Sequence, residues 1–226
     1  MPFLDEDAEM RADVEFAAQI IEDRALKTRQ FFNTIAEHWD TLSREVLGGF
    51  DLAGAVCGMM PEGCEAAVDL GCGTGIVLER MRGRARQIIG VDGSPRMLEL
   101  SRRRLAGVEG EPEGVSLRIG ELSHLPLRDC EADFASINMV LHHLSNPENA
   151  LAEIRRVLRP GGLLVVADFD RHTQERMRLD YGDLWLGFDE ATMSRLLQAA
   201  SFEVVSTARH LVEQGLALNL TLARRL

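Results

Sequence analysis

The chain has 226 residues with 36 acidic and 25 basic side chains, a formal net charge of −11. Its length supports one domain with a substantial core. The acidic balance argues against a general nucleic-acid partner, because neutralising phosphates requires clustered Lys and Arg.

The four cysteines show no Cys-x-x-Cys spacing, which indicates neither a zinc site nor a disulfide framework. The acidic start lacks a signal-peptide pattern and no apolar run approaches ~20 residues, so we expect a cytoplasmic chain without a membrane partner.

The N-terminal segment, residues 1–60, is predicted to form a helical extension. Its apolar side chains recur at helical spacing. They are Val14, Ala17, Ala18, Ile21 and Ala25, followed by Phe31, Ile35, Trp39 and Leu42. Gly48-Gly49 interrupts the pattern, and a further helix leads to Pro61.

Residues 61–226 alternate between strand and helix patterns. The predicted strands are 66–70, 87–91, 115–119, 133–138, 163–168, 202–208 and 216–223. The predicted helices are 76–82, 95–106, 147–158 and 190–199, with a loop at 107–114. Such alternation predicts an α/β fold, with a parallel sheet covered by helices on both faces. The last two strands have a short connection, which permits only an antiparallel hairpin.

A glycine-rich turn, Val-Asp-Leu-Gly-Cys-Gly-Thr-Gly at 68–75, follows the first of these strands. Gly71, Gly73 and Gly75 lack a Cβ, so the backbone can approach a ligand closely, and the next helix points its N–H groups at that ligand. Asp92 ends the second strand, where a carboxylate commonly binds the two hydroxyls of a ribose. The pattern therefore predicts a nucleoside site.

The identity of the nucleoside follows from two departures from the dinucleotide pattern. Ile76 stands where Gly-x-Gly-x-x-Gly requires its third glycine, a residue that permits close packing beneath a pyrophosphate. Asp69 adds a carboxylate that would be unfavourable beside phosphates and favourable beside a cation. S-adenosylmethionine, which has a ribose, an adenine, a sulfonium and an ammonium but no phosphate, fits both facts. A nicotinamide-dependent dehydrogenase is the weaker alternative.

Four segments of the chain, in order, resemble motifs of the class I S-adenosylmethionine-dependent methyltransferases. They are 68–75, the ribose-binding segment 91–98, the adenine-binding segment 120–127, and the turn 156–162 before the fifth strand. Four ordered motifs are far more specific than one glycine loop. Within that family the chain is similar to the small-molecule type found among quinone-methylating and arsenic-regulator-linked methyltransferases, and residues 169–172 and 185–188 resemble the latter.

The resemblance implies a Rossmann-like, seven-stranded, mostly parallel sheet, S-adenosylmethionine as cofactor and a small-molecule acceptor. It also implies that the 1–60 extension is a lid, since an aromatic residue before the first motif often closes over the cofactor in this family. A dimer surface is the alternative for this segment, and a homodimer is left open.

The residues expected to contact the cofactor lie on these motifs and at the end of the fourth strand. They are Asp69, Gly71, Cys72, Gly73, Asp92, Gly93, Met97, Glu121, Leu122 and Asn138. By resemblance, Glu121 and the backbone of Leu122 meet the adenine. Asn138 is expected at the methionine portion, the alternative being a turn residue that satisfies its own backbone.

Catalysis of methyl transfer needs little beyond alignment and exclusion of water, because the sulfonium is already activated. A base is needed only if the acceptor must lose a proton. His142 and His143 are the candidates, of which at most one faces the crevice, because adjacent helical residues point in different directions. The alternative for each is a structural role.

No metal site is predicted. His142, His143, Asp168, Asp170 and His172 are suitable ligand types, but their spacing does not require an ion.

Other functions were weighed against the methyltransferase hypothesis. Arsenic methylation is disfavoured because Cys57, Cys64 and Cys130 are not expected to lie close together. Amino-methylation of nucleic-acid bases normally uses Asn/Asp-Pro-Pro-aromatic, whereas Met-Val-Leu follows Asn138. A non-catalytic S-adenosylmethionine-binding module associated with a regulator remains the alternative from a different class.

Overall fold

The computed structural model describes residues 22–106 and 114–226, with the single positions 16 and 19. The first predicted apolar stripe and the predicted loop fall largely outside the described residues. These are Val14, Ala17, Ala18 and Ile21 of the stripe, and 107–113 of the loop.

The N-terminal extension is helical over its described part. Helix α1 covers 22–35, a short 3-10 turn covers Ala36–His38, and α2 covers Trp39–Leu47. Helix α3 covers Leu52–Gly58. The break between α2 and α3 falls at Gly48, where the sequence predicted an interruption.

The remaining elements alternate between strands and helices. The strands are β1 (Cys64–Leu70), β2 (Ala85–Asp92), β3 (Val115–Ile119), β4 (Ala132–Asn138), β5 (Leu158–Phe169), β6 (Phe202–Leu211) and β7 (Ala217–Arg225). The helices are α4 (Ile76–Met81), α5 (Pro95–Ala106), α6 (Pro147–Val157), α7 (Arg176–Asp180) and α8 (Glu190–Ala199). Short 3-10 turns occur at Leu141–His143 and Glu213–Gly215.

The seven strands form one sheet in the order β3-β2-β1-β4-β5-β7-β6. The first five strands of this order are parallel, and β7 runs antiparallel to both β5 and β6. The predicted seven-stranded, mostly parallel sheet with a final antiparallel hairpin is thereby confirmed. The chain order reverses between β1 and β4, and an open α/β sheet leaves its ligand crevice at such a point.

Local sequence explains where two of the helices beside this crevice begin. Asn146 caps α6 by accepting a hydrogen bond from the Asn149 amide at 3.1 Å, and Pro147 supplies the first helical residue. Ser94 caps α5 in the same way, because its Oγ accepts from the Met97 amide at 3.1 Å. Both caps direct a helix away from the carboxyl end of a strand.

Helices cover both faces of the sheet, and each face has its own apolar core. One core joins the sheet to α6 and α8, with Leu151, Ile154 and Leu197 fully buried. The other joins the sheet to α3, α4 and α5. The near-continuous burial of β1 and β4 follows, since both strands are covered on two sides.

Several elements differ from the sequence predictions, among them β6, which extends to Leu211, and the unpredicted 3-10 turn Glu213–Gly215. Strand β5 begins at Leu158 rather than at residue 163, because Leu158 pairs with Ala132 ahead of a register shift. The 3-10 turn Leu141–His143 and the helix α7 were not predicted, since each is too short to show a periodic pattern. Within the described ranges, no helix combines the length and apolarity needed to cross a membrane.

Candidate functional site

A cavity of about 570 Å³ opens at the carboxyl ends of β1, β2 and β4. All of the residues predicted to contact a cofactor border it. They are Asp69, Gly71, Cys72, Gly73, Asp92, Gly93, Met97, Glu121, Leu122 and Asn138. The fold thus brings residues from four sequence segments to one wall, while their contacts with a cofactor stay a prediction.

The glycine turn after β1 is held tightly against its neighbours. The amides of Gly71 and Cys72 donate to the Val91 carbonyl at 2.8 and 3.0 Å. Gly71 has φ +68°, and a Cβ on it would lie 2.5 Å from Cγ2 of Val140. Both the backbone and the space therefore require glycine here. Burial raises the pKa of the Cys72 thiol well above its ordinary value, which keeps the thiol protonated and argues against a nucleophile.

Asp92 links the end of β2 to the glycine turn. Its Oδ2 accepts a hydrogen bond from the Gly73 amide at 2.9 Å, and its Oδ1 accepts from the Ser94 amide at 2.8 Å. Burial raises the pKa of this carboxyl. Because Ser94 caps α5, the carboxylate of Asp92 is not needed as the helix cap and stays available at the cavity wall.

Asp69 and Asn138 form a polar pair where β1 and β4 end. Oδ1 of Asp69 accepts hydrogen bonds from Ser136 Oγ at 2.6 Å and from Asn138 Nδ2 at 2.9 Å. Among the described residues, Oδ1 of Asn138 has no hydrogen-bond partner although it is buried. Burial raises the pKa of Asp69 to about 7, and nearby Asp92 adds to that rise. The oxygens of Asp69 and Asn138 suit a cationic ligand group. Ser136, which donates to Asp69, was not identified from the sequence.

The N-terminal helices contact the site from the opposite side. Arg29 Nη1 pairs with Glu121 Oε1 at 2.8 Å. Ser94 Oγ donates to Asn33 Oδ1 at 2.6 Å. The ring of Phe32 lies 4.8 Å from that of His143. Because Arg29, Phe32 and Trp39 also border the cavity, α1 and α2 form its cover.

His142 and His143 occupy the 3-10 turn after β4, and both are buried. Only His143 of the pair borders the 570 Å³ cavity. Burial, reinforced by neighbouring His142, lowers the pKa of His143 well below its ordinary value. Burial alone would lower the pKa of His142, but the Asp168 and Asp183 carboxylates outweigh it and raise that pKa. A catalytic role for either histidine stays a prediction.

A second buried group lies behind His143. Asp183, in the loop between α7 and α8, has its Oδ1 3.7 Å from Nε2 of His142 and 3.8 Å from Nδ1 of His143. Burial raises the pKa of this carboxyl to about 6. Sequence reasoning missed Asp183, since 40 residues separate it from His143 and no motif marks it.

Two other residues considered as metal ligands lie outside this cluster. Asp170 accepts instead from Arg209 Nε at 2.7 Å and from Asn219 Nδ2 at 3.2 Å. His172 does not belong to the group formed by His142, His143 and Asp183.

A more open cavity of about 740 Å³ lies at the opposite edge of the sheet. Its wall includes Glu65, Arg86, Val115 and Cys130, near the amino ends of the strands. None of the predicted site residues borders it, and parallel sheets carry their ligands at the other edge. The 570 Å³ cavity is therefore the candidate site.

Comparisons with known proteins identify the family of this chain. A family model described as a methyltransferase domain matches residues 68–166. The demethylmenaquinone methyltransferase of Desulfitobacterium hafniense is 30% identical over 174 residues, which cover 74% of this chain and 67% of that protein. An uncharacterized 37.1 kDa protein in transposon TN4556 of Streptomyces fradiae is 40% identical over 123 residues. That match covers 53% of this chain and 34% of the Streptomyces protein.

Solved structures share the fold at low sequence identity. The S-adenosylmethionine-dependent methyltransferase from Mesorhizobium loti aligns with a TM-score of 0.64 at 20% identity, covering 77% of this chain and 99% of that one. The cyclase SpnF aligns with a TM-score of 0.73 at 19% identity, covering 87% of this chain and 94% of that one. A fold shared with a cyclase does not by itself determine the reaction. The matched family model, the sequence relatives and the shared architecture together show that the chain belongs to the class I S-adenosylmethionine-dependent methyltransferase family.

Proposed function

We propose that this chain binds S-adenosylmethionine in the 570 Å³ cavity and transfers its methyl group to a small-molecule acceptor. The observation that carries the proposal is the pairing of Asp69 with Asn138. A buried carboxylate and an amide oxygen without a partner in the described part of the chain would together favour a cation at this sheet edge.

The residues on the cavity wall fit each portion of this cofactor. Asp92 would accept from the ribose hydroxyls, and Glu121 with the Leu122 backbone would meet the adenine. Asp69 and Asn138 would hold the ammonium of the methionine portion. The absence of a Cβ at Gly73, where the atom nearest to a Cβ position would be Trp39 Nε1 at 3.7 Å, would let the ligand approach the backbone. When bound, the cofactor supplies a methyl group that is attached to a sulfonium sulfur. Once the methyl group has moved to the acceptor, this sulfur belongs to a neutral thioether.

The acceptor would occupy the part of the cavity beneath the N-terminal helices. Phe32, Trp39, Phe50, Val140 and Leu144 give this part apolar and aromatic walls. The cavity volume is in the usual range for small-molecule sites, about 300–1,000 Å³. A planar, largely apolar acceptor suits such walls, and the name of the Desulfitobacterium relative, demethylmenaquinone methyltransferase, points to the same class.

Alignment is the catalytic contribution we propose for this chain. Helices α1 and α2, which border the cavity, would exclude water from the acceptor, and His143 at the cavity wall would contact it. Holding two reactants in line can supply much of the acceleration of a bimolecular step. An acceptor that is already nucleophilic, such as a thiolate or an enolate, would need no base.

The described cysteines support a reducing compartment. Cys57, Cys64, Cys72 and Cys130 are all free thiols. Proteins of oxidising compartments more often pair their cysteines. We therefore propose a cytoplasmic location for the reaction.

Calorimetry and product analysis test the proposal together. We expect S-adenosylmethionine and S-adenosylhomocysteine to bind and to raise the melting temperature, as a ligand of the native state must. NADH should not compete. Incubation with a panel of small acceptors, read by mass spectrometry, should give a product heavier by one methylene. Tight NADH binding without adenosylhomocysteine binding would refute the cofactor assignment. Cofactor binding without turnover of any acceptor would favour the regulator-associated module.

A further inference from the structure

Three ligand-type side chains converge at the acceptor wall, and the proposed methyl transfer uses only His143 of them, as part of that wall. His142, His143 and Asp183 each place one ligand atom so that all three lie within 4.8 Å of one another. The two shortest separations from Oδ1 of Asp183 are 3.7 Å to Nε2 of His142 and 3.8 Å to Nδ1 of His143. All three side chains are at least 96% buried.

The Asp183 carboxylate has no polar neighbour at bonding distance. Within the described part of the chain, neither of its oxygens has a hydrogen-bond partner, and its side chain is 0% exposed. Burying a carboxylate without partners costs several kcal/mol in a protein interior, so such a group needs a compensating cation or proton. Two facing ring nitrogens point to a shared cation.

The neighbourhood fixes the carboxylate and the first imidazole in place. The carbonyl of His142 accepts the amides of Leu184 and Trp185 at 2.9 and 3.0 Å, which ties the Asp183 loop to the histidine turn. Nδ1 of His142 donates to Asp168 Oδ1 at 2.7 Å, so in the neutral ring Nε2 has its lone pair on the side of Asp183, and an ion bound there would displace the proton of the charged ring. A carboxylate behind a histidine is the usual outer support of a metal-binding imidazole.

The second imidazole has a weaker competing contact. Nδ1 of His143 lies 3.3 Å from the Gly182 carbonyl, at the long end of the hydrogen-bond range. Binding an ion through this nitrogen would replace that contact with a stronger one.

A small cavity lies between these groups. Its volume is about 20 Å³, and His142, His143 and Asp183 line it together with Phe169, Met177 and Tyr181. A space of about 10–15 Å³ holds one water-sized particle, so this cavity can hold a single ion. The apolar walls supply no other strong ligand.

We propose that His142, His143 and Asp183 bind one divalent transition-metal ion, with Zn²⁺ as the best match. Two imidazoles and one carboxylate suit Zn²⁺ far better than Ca²⁺ or Mg²⁺, which prefer oxygen ligands. Ligands around a tetrahedral Zn²⁺ lie about 3.3 Å apart for bond lengths of about 2.0–2.1 Å, so the gaps of 3.7 and 3.8 Å from Asp183 close with shifts of about half an ångström. The two imidazoles, whose ligand atoms lie within 4.8 Å, would draw closer as their rings turn toward the ion. The ion fixes the 176–189 segment to the end of β4, beside the acceptor wall at His143.

Metal titration of the chelator-stripped full chain tests this site. Calorimetry should show one equivalent of Zn²⁺ bound per chain, and Zn²⁺ should raise the melting temperature, because it binds the native state. Co²⁺ in place of Zn²⁺ should give the intense visible bands of a four- or five-coordinate ion. None of these readouts depends on methyl transfer. A failure of the metal site can therefore be distinguished from a failure of the proposed function.

Asp183→Asn is the decisive variant, because it keeps the size of the side chain and removes the charge. It should fold and should melt higher than the wild type without metal, since no unpartnered carboxylate is left buried. Its Zn²⁺ affinity should fall more than 100-fold. Asp168→Asn, which removes only the outer support, should weaken binding by about 10- to 100-fold. Asp170→Asn is the matched control, whose carboxylate lies outside the cluster and should leave Zn²⁺ affinity unchanged.

Two results would overturn the site. One is the absence of Zn²⁺ and Co²⁺ binding by the stripped wild-type chain. The other is an Asp183→Asn chain that binds Zn²⁺ as tightly as the wild type. In either case the cluster would be a buried proton-sharing network instead.

Discussion

The carboxylate of Asp92 accepts a hydrogen bond from the Gly73 amide across the gap between two strands, at 2.9 Å. This contact joins the residue expected to bind the ribose to the turn expected to cradle the cofactor. Its second oxygen accepts from Ser94, so both oxygens are oriented before a ligand arrives. A site with its acceptors already oriented loses less entropy on binding.

Replacing Asp92 with Ala should therefore weaken S-adenosylhomocysteine binding. Charge-assisted hydrogen bonds of this kind contribute roughly 1.5–3 kcal/mol, so the affinity should fall by about 10- to 100-fold. The fold should persist, because the carboxylate lies at a strand end and outside the apolar core. Calorimetry measures the affinity, and circular dichroism checks the fold. Asp180→Ala, on the exposed end of α7, is the control. Unchanged affinity in folded Asp92→Ala would show that the ribose lies elsewhere.

The central strands were predictable because helices bury β1 and β4 from both sides, which favours apolar side chains on both faces of these strands. β3 and α8 have the predicted bounds, since turn residues and caps delimit both. The cavity wall was predictable for a related reason, as parallel strands bring their carboxyl ends to one edge.

The residues that the sequence did not reveal act through contacts distant in the chain. Ser136 bonds to Asp69 across the β1–β4 register, and Asn33 reaches Ser94 from helix α1. Asp183 meets the histidines only because the loop after α7 folds back onto β4. Local periodicity carries no information about such pairs.

Gly71 and Gly63 offer a matched test of crowding at the glycine turn. Both have φ +68°, but a Cβ on Gly71 would lie 2.5 Å from Val140 Cγ2, whereas at Gly63 nothing lies within 4 Å. Substitution by Ala adds the same backbone strain at both positions, and only Gly71→Ala adds overpacking, which costs about 1–3 kcal/mol. Thermal denaturation should thus show a larger loss for Gly71→Ala. Cofactor affinity should fall for Gly71→Ala and stay unchanged for Gly63→Ala. Equal effects on both measurements would mean that Val140 moves aside freely.

The contacts of α1 and α2 with the site predict a lid that cofactor binding stabilises. Arg29 pairs with Glu121, and Asn33 accepts from Ser94, so both contacts end on segments expected to hold the nucleoside. Hydrogen exchange over 22–47 should slow when S-adenosylhomocysteine is added.

A double variant, Arg29→Ala with Asn33→Ala, tests whether those contacts hold the lid. It should speed cofactor dissociation and reduce the added protection, while Arg24→Ala, on the exposed surface of α1, should do neither. Identical exchange with and without ligand in the wild type would make the segment a fixed part of the core or a dimer surface.

The raised pKa of Asp69 makes cofactor binding depend on pH. Burial lifts this pKa from 3.8 to about 7, so the carboxyl is largely protonated in the ligand-free chain below neutral pH. A cationic ammonium requires the ionised form, so binding below about pH 7 must release a proton. The affinity should therefore rise with pH, by at most about tenfold per unit, and level off above neutral pH. Calorimetry in buffers of different ionisation enthalpy would count the released proton.

The same group has the opposite effect on the stability of the ligand-free chain. A carboxyl with a folded-state pKa above its unfolded value binds protons more tightly when folded, so its stabilisation is complete below about pH 4 and is lost as the pH rises through about 7. Asp69→Asn should remove this loss and also flatten the pH dependence of cofactor affinity. Because neighbouring Asp92 titrates in both chains, the difference between wild type and Asp69→Asn isolates the contribution of Asp69. If the variant kept the full pH dependence of binding, the cofactor's ammonium would lie away from the Asp69–Asn138 pair.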